Sequence, residues 1–200
     1  MRLTHALLLR LRHALDDTGG MQIVEFAVSL PLLVVFAVGI IDFGSAFNVK
    51  QRVAFMAQEA ARIGASQPTS DMNYSNGTCT ELVAVCAVRD VVAHTLASNK
   101  MNDCGLAGAS PTTLGSLTWK FETTSSCPTA LRLTVNRGYT YTTSLADPFD
   151  TQTYTIEATQ VTFEYPYQWQ FNKVIKLIVP GANYAGVSQI KSVATMQNLN

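Results

Sequence analysis

Residues 19–41 read GGMQIVEFAVSLPLLVVFAVGII. From Met21 to Ile41 the stretch has 21 residues and a single charge, Glu25. As an α-helix it spans about 31 Å, which matches a hydrocarbon core of roughly 30 Å. The stretch therefore predicts a membrane-spanning helix over residues 21–42. Glu25 is then a question in its own right. An acid inside an apolar segment is costly, so it is a functional candidate by default.

The flanks orient this helix. Residues 1–20, MRLTHALLLRLRHALDDTGG, form a basic leader with Arg2, Arg10 and Arg12. Basic residues close to a span favour the cytoplasmic side, here the N-terminal one. Lys50 and Arg52 follow the span and oppose that bias. The cysteines support it: Cys79, Cys86, Cys104 and Cys127 all follow the apolar run. Four cysteines on one side predict two disulfides in an oxidising compartment. A zinc site would want a C-x-x-C knuckle or nearby histidines, and the sequence has neither. Pro31 leaves the carbonyl of Ala27 without its helical donor and predicts a kink, with or without a function.

Residues 43–65, FGSAFNVKQRVAFMAQEAARIGA, contain no strong breaker before Pro68, so the helix is expected to continue beyond the span. Ala54, Ala57, Ala61, Gly64 and Ala65 fall on one face, with Phe43 and Phe47 toward the same side. That face packs either on the chain's own domain or on other subunits. A polar linker follows over 66–78, SQPTSDMNYSNGT. Thr78 and Glu81 form a T-x-x-E capping box, which predicts a helix from there to about Asn99. Leu82, Val85, Val92 and Leu96 give it an apolar stripe.

That helix start constrains the cysteines. Cys79 and Cys86 would lie about 10.5 Å apart along it, whereas a disulfide needs Cα atoms roughly 4.4–6.8 Å apart. Two connectivities remain: Cys79–Cys104 with Cys86–Cys127, or Cys79–Cys127 with Cys86–Cys104. A later helix start would restore the third.

After residue 100 the period changes from helical to alternating. Residues 116–123, 130–142, 153–167 and 187–197 are rich in Thr, Val, Tyr and Phe, with Gly, Pro, Asn and Asp between them. Val161, Phe163, Tyr165 and Tyr167 share one face. Residues 171–179 fit a short helix or a further strand. The fold class expected is α+β: a long N-terminal helix, then a small antiparallel sheet with one or two packed helices.

Chemistry is sparse. No metalloprotease, P-loop, nucleophile-elbow or dinucleotide motif occurs, which speaks against an enzyme and implies no cofactor. His94 stands alone on its helix. Glu157 and Glu164 are candidates for an acid/base pair only if a cleft brings them together. Tyr165, Pro166, Tyr167 and Trp169 form an aromatic cluster that suits either a ligand or the sheet's own core. The formal net charge of zero argues against a nucleic-acid partner.

The order Gly20, Met21, then Glu25 at the fifth place from Met21 resembles the processing site of type IV pilin-like proteins. The wider pattern of Gly20, Val24-Glu25-Phe26-Ala27, Pro31, Ile41-Asp42-Phe43-Gly44 and Ala60-Ala61-Arg62 resembles the TadE-like domain, over residues 19–62. Proteins with that domain are pilin-like components of the tight-adherence (Flp) pilus machinery of bacteria. The resemblance implies cleavage by a prepilin peptidase between Gly20 and Met21. It further implies pairing of Glu25 with the N-terminus of a neighbouring subunit. The implied partners are the cytoplasmic membrane, the peptidase, other pilin-like subunits and the pilus secretion machinery. The length favours a minor pilin or assembly factor over a main filament subunit.

The expected organisation is a cytoplasmic leader over 1–20, a TadE-like region over 19–62, a linker over 66–78 and an extracytoplasmic domain over 79–200. Two other readings of the N-terminus stand beside it. One is an uncleaved single-pass anchor for a periplasmic binding module. The other is a secretory signal cut after Gly44-Ser45-Ala46.

Overall fold

The computed structural model describes residues 18–69, 77–146, 151–171, 181 and 187–199. The basic leader before Thr18, most of the linker and residues 172–179 lie outside them. Helix α1 runs without interruption over Thr18–Ser66 and carries Pro31 within it. Helix α2 covers Val83–Ser98. A single 3-10 turn, Leu106–Gly108, leads into the strands. These are β1 (Thr112–Gly115), β2 (Thr118–Thr123), β3 (Leu131–Ala146), β4 (Thr151–Gln168) and β5 (Val187–Gln197). They form one antiparallel sheet in the order β1-β2-β3-β4-β5, so the α+β reading holds.

The chain divides into two compact units, Met1–Ser45 and Ala46–Asn200. In the second unit the core is a layer of two helices on one sheet face. Val53, Met56, Ala57, Ala60 and Ala61 from α1 join Val85, Val88, Val92 and Leu96 from α2. The sheet contributes Trp119, Phe121, Leu131, Leu133, Val135, Val161 and Phe163, all nearly or wholly buried. These residues alternate along each strand because the side-chain period of two puts every second residue on the covered face. On the other face Lys120, Glu122, Arg132, Glu164 and Lys191 make a row of opposite charges across four strands.

The alanine and glycine face of α1 turns toward the chain's own domain: Ala57, Ala61, Gly64 and Ala65 are buried. Gly64 marks the closest approach. A Cβ there would lie 2.9 Å from Thr159 Cγ2 and 3.2 Å from Val88 Cγ2. Phe43 and Phe47 do not share this burial; they are 59% and 61% exposed. The buried line also takes in Val53, Met56 and Ala60, and the larger Val53 and Met56 side chains help fix how the helix is turned.

Strand β3 carries a bulge where α1 ends. Arg137 and Gly138 oppose the single residue Thr159, between the pairs Asn136↔Gln160 and Tyr139↔Ala158. Arg137 continues the inward-facing line of Leu131, Leu133 and Val135 and is buried at the bulge. Its guanidinium donates from Nη1 to the Pro68 carbonyl (3.0 Å) and from Nη2 to the Gln67 carbonyl (2.9 Å). A cation at a helix C-terminus also suits the negative end of the helix dipole. The Leu199 amide donates to the Ala65 carbonyl at 3.2 Å, so the segment just after β5 secures the same helix end.

The cysteines pair differently from the sequence expectation. The disulfides are Cys79–Cys86, with Cα atoms 5.5 Å apart, and Cys104–Cys127, at 5.4 Å. The reason is the late start of α2. Glu81 Oε2 accepts the Thr78 amide at 2.9 Å, as a capping box requires. The Thr78 hydroxyl, however, meets the Thr80 hydroxyl at 2.6 Å instead of capping a helical amide. Residues 79–81 form a turn, and the helix begins only at Val83, capped by Leu82 without a side-chain bond. The turn folds Cys79 back over the first helical turn, within reach of Cys86.

Candidate functional site

Helix α1 is already helical at Gly20 and Met21. Both residues are exposed, Met21 at 74%, and a Cβ added at Gly20 would meet nothing within 4 Å. Among the described residues, nothing packs against Gly20. Glu25 lies on the next turn and is also exposed. At 100° per residue, Leu32, Phe36 and Phe43 follow on its side of the helix. Phe43 completes five turns from Glu25, about 27 Å along the axis. Ser29, between Glu25 and Leu32, returns its hydroxyl to the Phe26 carbonyl at 3.2 Å.

The apolar surface of this segment is continuous around the helix. Apart from Val38, which is half-buried, the large apolar side chains from Met21 to Phe43 are 43–74% exposed. A helix that is apolar all round belongs in lipid or among other helices. By length and composition it can cross a membrane. Asp42 interrupts this surface near its end and is the only buried acid among the described residues.

The remaining candidates do not converge. Glu157 and Glu164 are seven residues apart on β4, hence on opposite faces and about 23 Å apart. Glu164 is engaged by Arg132 at 3.7 Å and by Lys191 at 3.4 Å. His94 is exposed and faces the Ser98 hydroxyl at 3.5 Å. Among the described residues no group of three His, Cys, Asp or Glu side chains gathers as a metal site would.

The aromatic cluster is largely core: Tyr165 and Tyr167 are buried, and Trp169 packs edge-on to Tyr167 with centroids 5.3 Å apart. Burial pushes the Tyr165 hydroxyl's pKa up, partly offset by a hydrogen bond with the Asn102 backbone. The rim of the cluster, with Lys100, Asn102 and Pro128, borders an open concavity of about 360 Å³.

One neighbour of a cysteine escaped the sequence reading. Arg89 donates from Nη1 to Cys79 Sγ at 3.0 Å. Nothing in its local sequence distinguishes it from a solvated helix charge, because the contact exists only once residues 79–81 turn back.

Neither the curated proteins nor the solved structures contain a match to this chain. A family model described as TadE-like protein matches residues 20–62, from the glycine before Met21 to Arg62. Residues 20–62 are thus a TadE-like segment, and with the apolar helix they fit a membrane-anchored protein associated with a Tad pilus.

Proposed function

We propose that the protein is a pilin-like subunit or assembly factor of a tight-adherence pilus, processed by a prepilin peptidase between Gly20 and Met21. The observation that carries this reading is an accessible glycine followed at once by an exposed apolar helix with an exposed acid on its next turn. In this reading residues 1–20 stay cytoplasmic and residues 21–42 span the membrane. The linker over 66–78 and the disulfide-bonded domain over 79–200 lie outside. Cleavage creates a charged amine at Met21 in an apolar setting, which is costly unless paired. Glu25 of a neighbouring subunit supplies the pairing charge, and other pilin-like subunits cover the helix. The chemistry of processing belongs to the peptidase; this protein is its substrate.

Sequencing the mature N-terminus tests the processing step. Met21 as first residue supports it; Phe47 would mean a secretory signal, and Met1 an uncleaved anchor. Glu25→Ala tests the pairing. Cleavage should proceed while pilus assembly falls at least tenfold, and unchanged assembly would remove the role given to this acid. A second reading, an uncleaved anchored binding module, is favoured by the concavity beside Tyr165, Pro166 and Tyr167, whose volume suits a small ligand. An intact Met1 would favour this second reading, and a Lys100→Glu, Tyr167→Ala double variant that still binds the small ligands retained by the wild type would remove it.

A further inference from the structure

The two disulfides are not equivalent. We propose that Cys79–Cys86 is a thiol-exchange site open to a dithiol reductant, while Cys104–Cys127 is a structural cross-link.

Placement alone does not separate them, since each joins a buried cysteine, Cys86 or Cys104, to a part-exposed one, Cys79 or Cys127. Cys104 is wholly buried, and its disulfide ties the segment before the 3-10 turn to the turn between β2 and β3. Cys79 sits part-exposed in the turn ahead of α2, while Cys86 is buried on the helix. The sequence separations are 7 and 23 residues. The longer loop constrains the unfolded chain more and so contributes more to folding stability, which suits a structural cross-link.

Arg89 adds a chemical difference. Its guanidinium touches Cys79 Sγ and is held there independently of the disulfide. Nη1 also donates to the Ala109 carbonyl at 2.8 Å, and the group lies over the Phe121 ring at 5.8 Å. Asp90 accepts from Nε at 2.8 Å and from Nη2 at 2.6 Å. When the disulfide opens, the cation is already in place to stabilise a Cys79 thiolate. Stabilising the reduced form makes a disulfide more oxidising. Two carboxylates act against this: exposed Asp90, which shares the guanidinium, and Glu81, bound to the Thr78 amide.

The step proceeds by ordinary exchange. One thiolate of the dithiol attacks Cys79 Sγ, the Cys79–Cys86 bond breaks, and Cys86 leaves as a thiolate that takes up a proton. The second thiolate of the dithiol then attacks its own sulfur in the mixed disulfide. Cys79 is released as a thiolate beside Arg89, and the reductant departs as a disulfide. Two electrons have passed to the chain, and the dithiol is oxidised.

The test uses the full chain in detergent, equilibrated in graded mixtures of reduced and oxidised dithiothreitol, then alkylated and mapped by mass spectrometry. Cys79–Cys86 should be half-reduced at a reduced-to-oxidised ratio at least tenfold lower than Cys104–Cys127, equivalent to ~30 mV for a two-electron couple. Arg89→Gln should shrink that gap, and Arg89→Lys should retain most of it. Asp90→Asn, a change at an exposed side chain, should widen it. Should Arg89→Gln unfold the domain, the opposite-signed Asp90→Asn result still decides. Simultaneous opening of both disulfides, earlier opening of Cys104–Cys127, or an Asp90→Asn gap that stays fixed or narrows would each overturn the proposal.

Discussion

At Gly64 helix α1 comes so close to β4 that a single methyl group has no room. Thr159 Cγ2 would sit 2.9 Å from the new Cβ, and Thr159 is wholly buried and cannot swing away. Replacing a helical glycine with alanine gains about 0.5–1 kcal/mol in backbone entropy. Overpacking a core costs about 1–3 kcal/mol. The second effect wins here, so Gly64→Ala should destabilise the domain by about 1 kcal/mol, a fall of roughly 2–4 °C in Tm. Thr159→Ser removes the offending methyl but keeps the hydroxyl that donates to Asn198 Oδ1 at 2.7 Å. The double variant should therefore regain most of the loss by thermal melting. Equal Tm values for wild type and Gly64→Ala would show that the helix can shift aside. Gly64 illustrates what was legible at this scale: its place on a small-residue face showed in the sequence, but its neighbour did not. Arg137 was legible only in part: the period of two from Leu131, Leu133 and Val135 puts it on the covered face. Its partners Gln67 and Pro68 lie about seventy residues away in the chain and leave no local signal.

Among the elements, the strands were easiest to foresee because one covered face enforces alternation. The expected 116–123, 130–142, 153–167 and 187–197 correspond to β2 to β5, whereas β1 is short, largely exposed and does not alternate. The start of α2 was misjudged because the T-x-x-E signature forms only half its bonds, and the cysteine pairing followed from that error. The charge row on the uncovered face has its own consequence. Glu122 accepts from Lys120 at 2.6 Å and from Arg132 at 2.8 Å. The Lys120 bond, then the Arg132 bond, hold its carboxyl below the ordinary 4.5. A lowered folded pKa contributes stability that is present above 4.5 and lost as pH falls through the folded value. Melting followed by circular dichroism should therefore show Tm declining below pH 4.5. Glu122→Gln should flatten part of that decline, and added salt should weaken it, since the pair is solvent-exposed. An unchanged acid slope in Glu122→Gln would place the origin of the decline elsewhere.

The whole molecule joins a segment that water cannot solvate to a unit with an ordinary two-layer core. The wide exposure of apolar residues from Met21 to Phe43 is tolerable only if something apolar surrounds them. Lipid does so along the whole length, and the run is long enough to reach across. Arginine near the middle of such a helix costs about 2.5–3.5 kcal/mol on an insertion scale, so two should cost about 5–7 kcal/mol. Leu33→Arg with Phe36→Arg should thus abolish retention in carbonate-washed membranes, where the wild type should require detergent for release. Phe55→Arg is the control, since Phe55 is equally exposed but lies in the folded unit. It should leave retention unchanged, because it alters α1 beyond the expected span. If the double arginine variant still resists carbonate while its folded unit melts normally, lipid is not what covers residues 21–41. The apolar surface would then have to be satisfied by protein alone, and the anchored reading of this chain would fall with it.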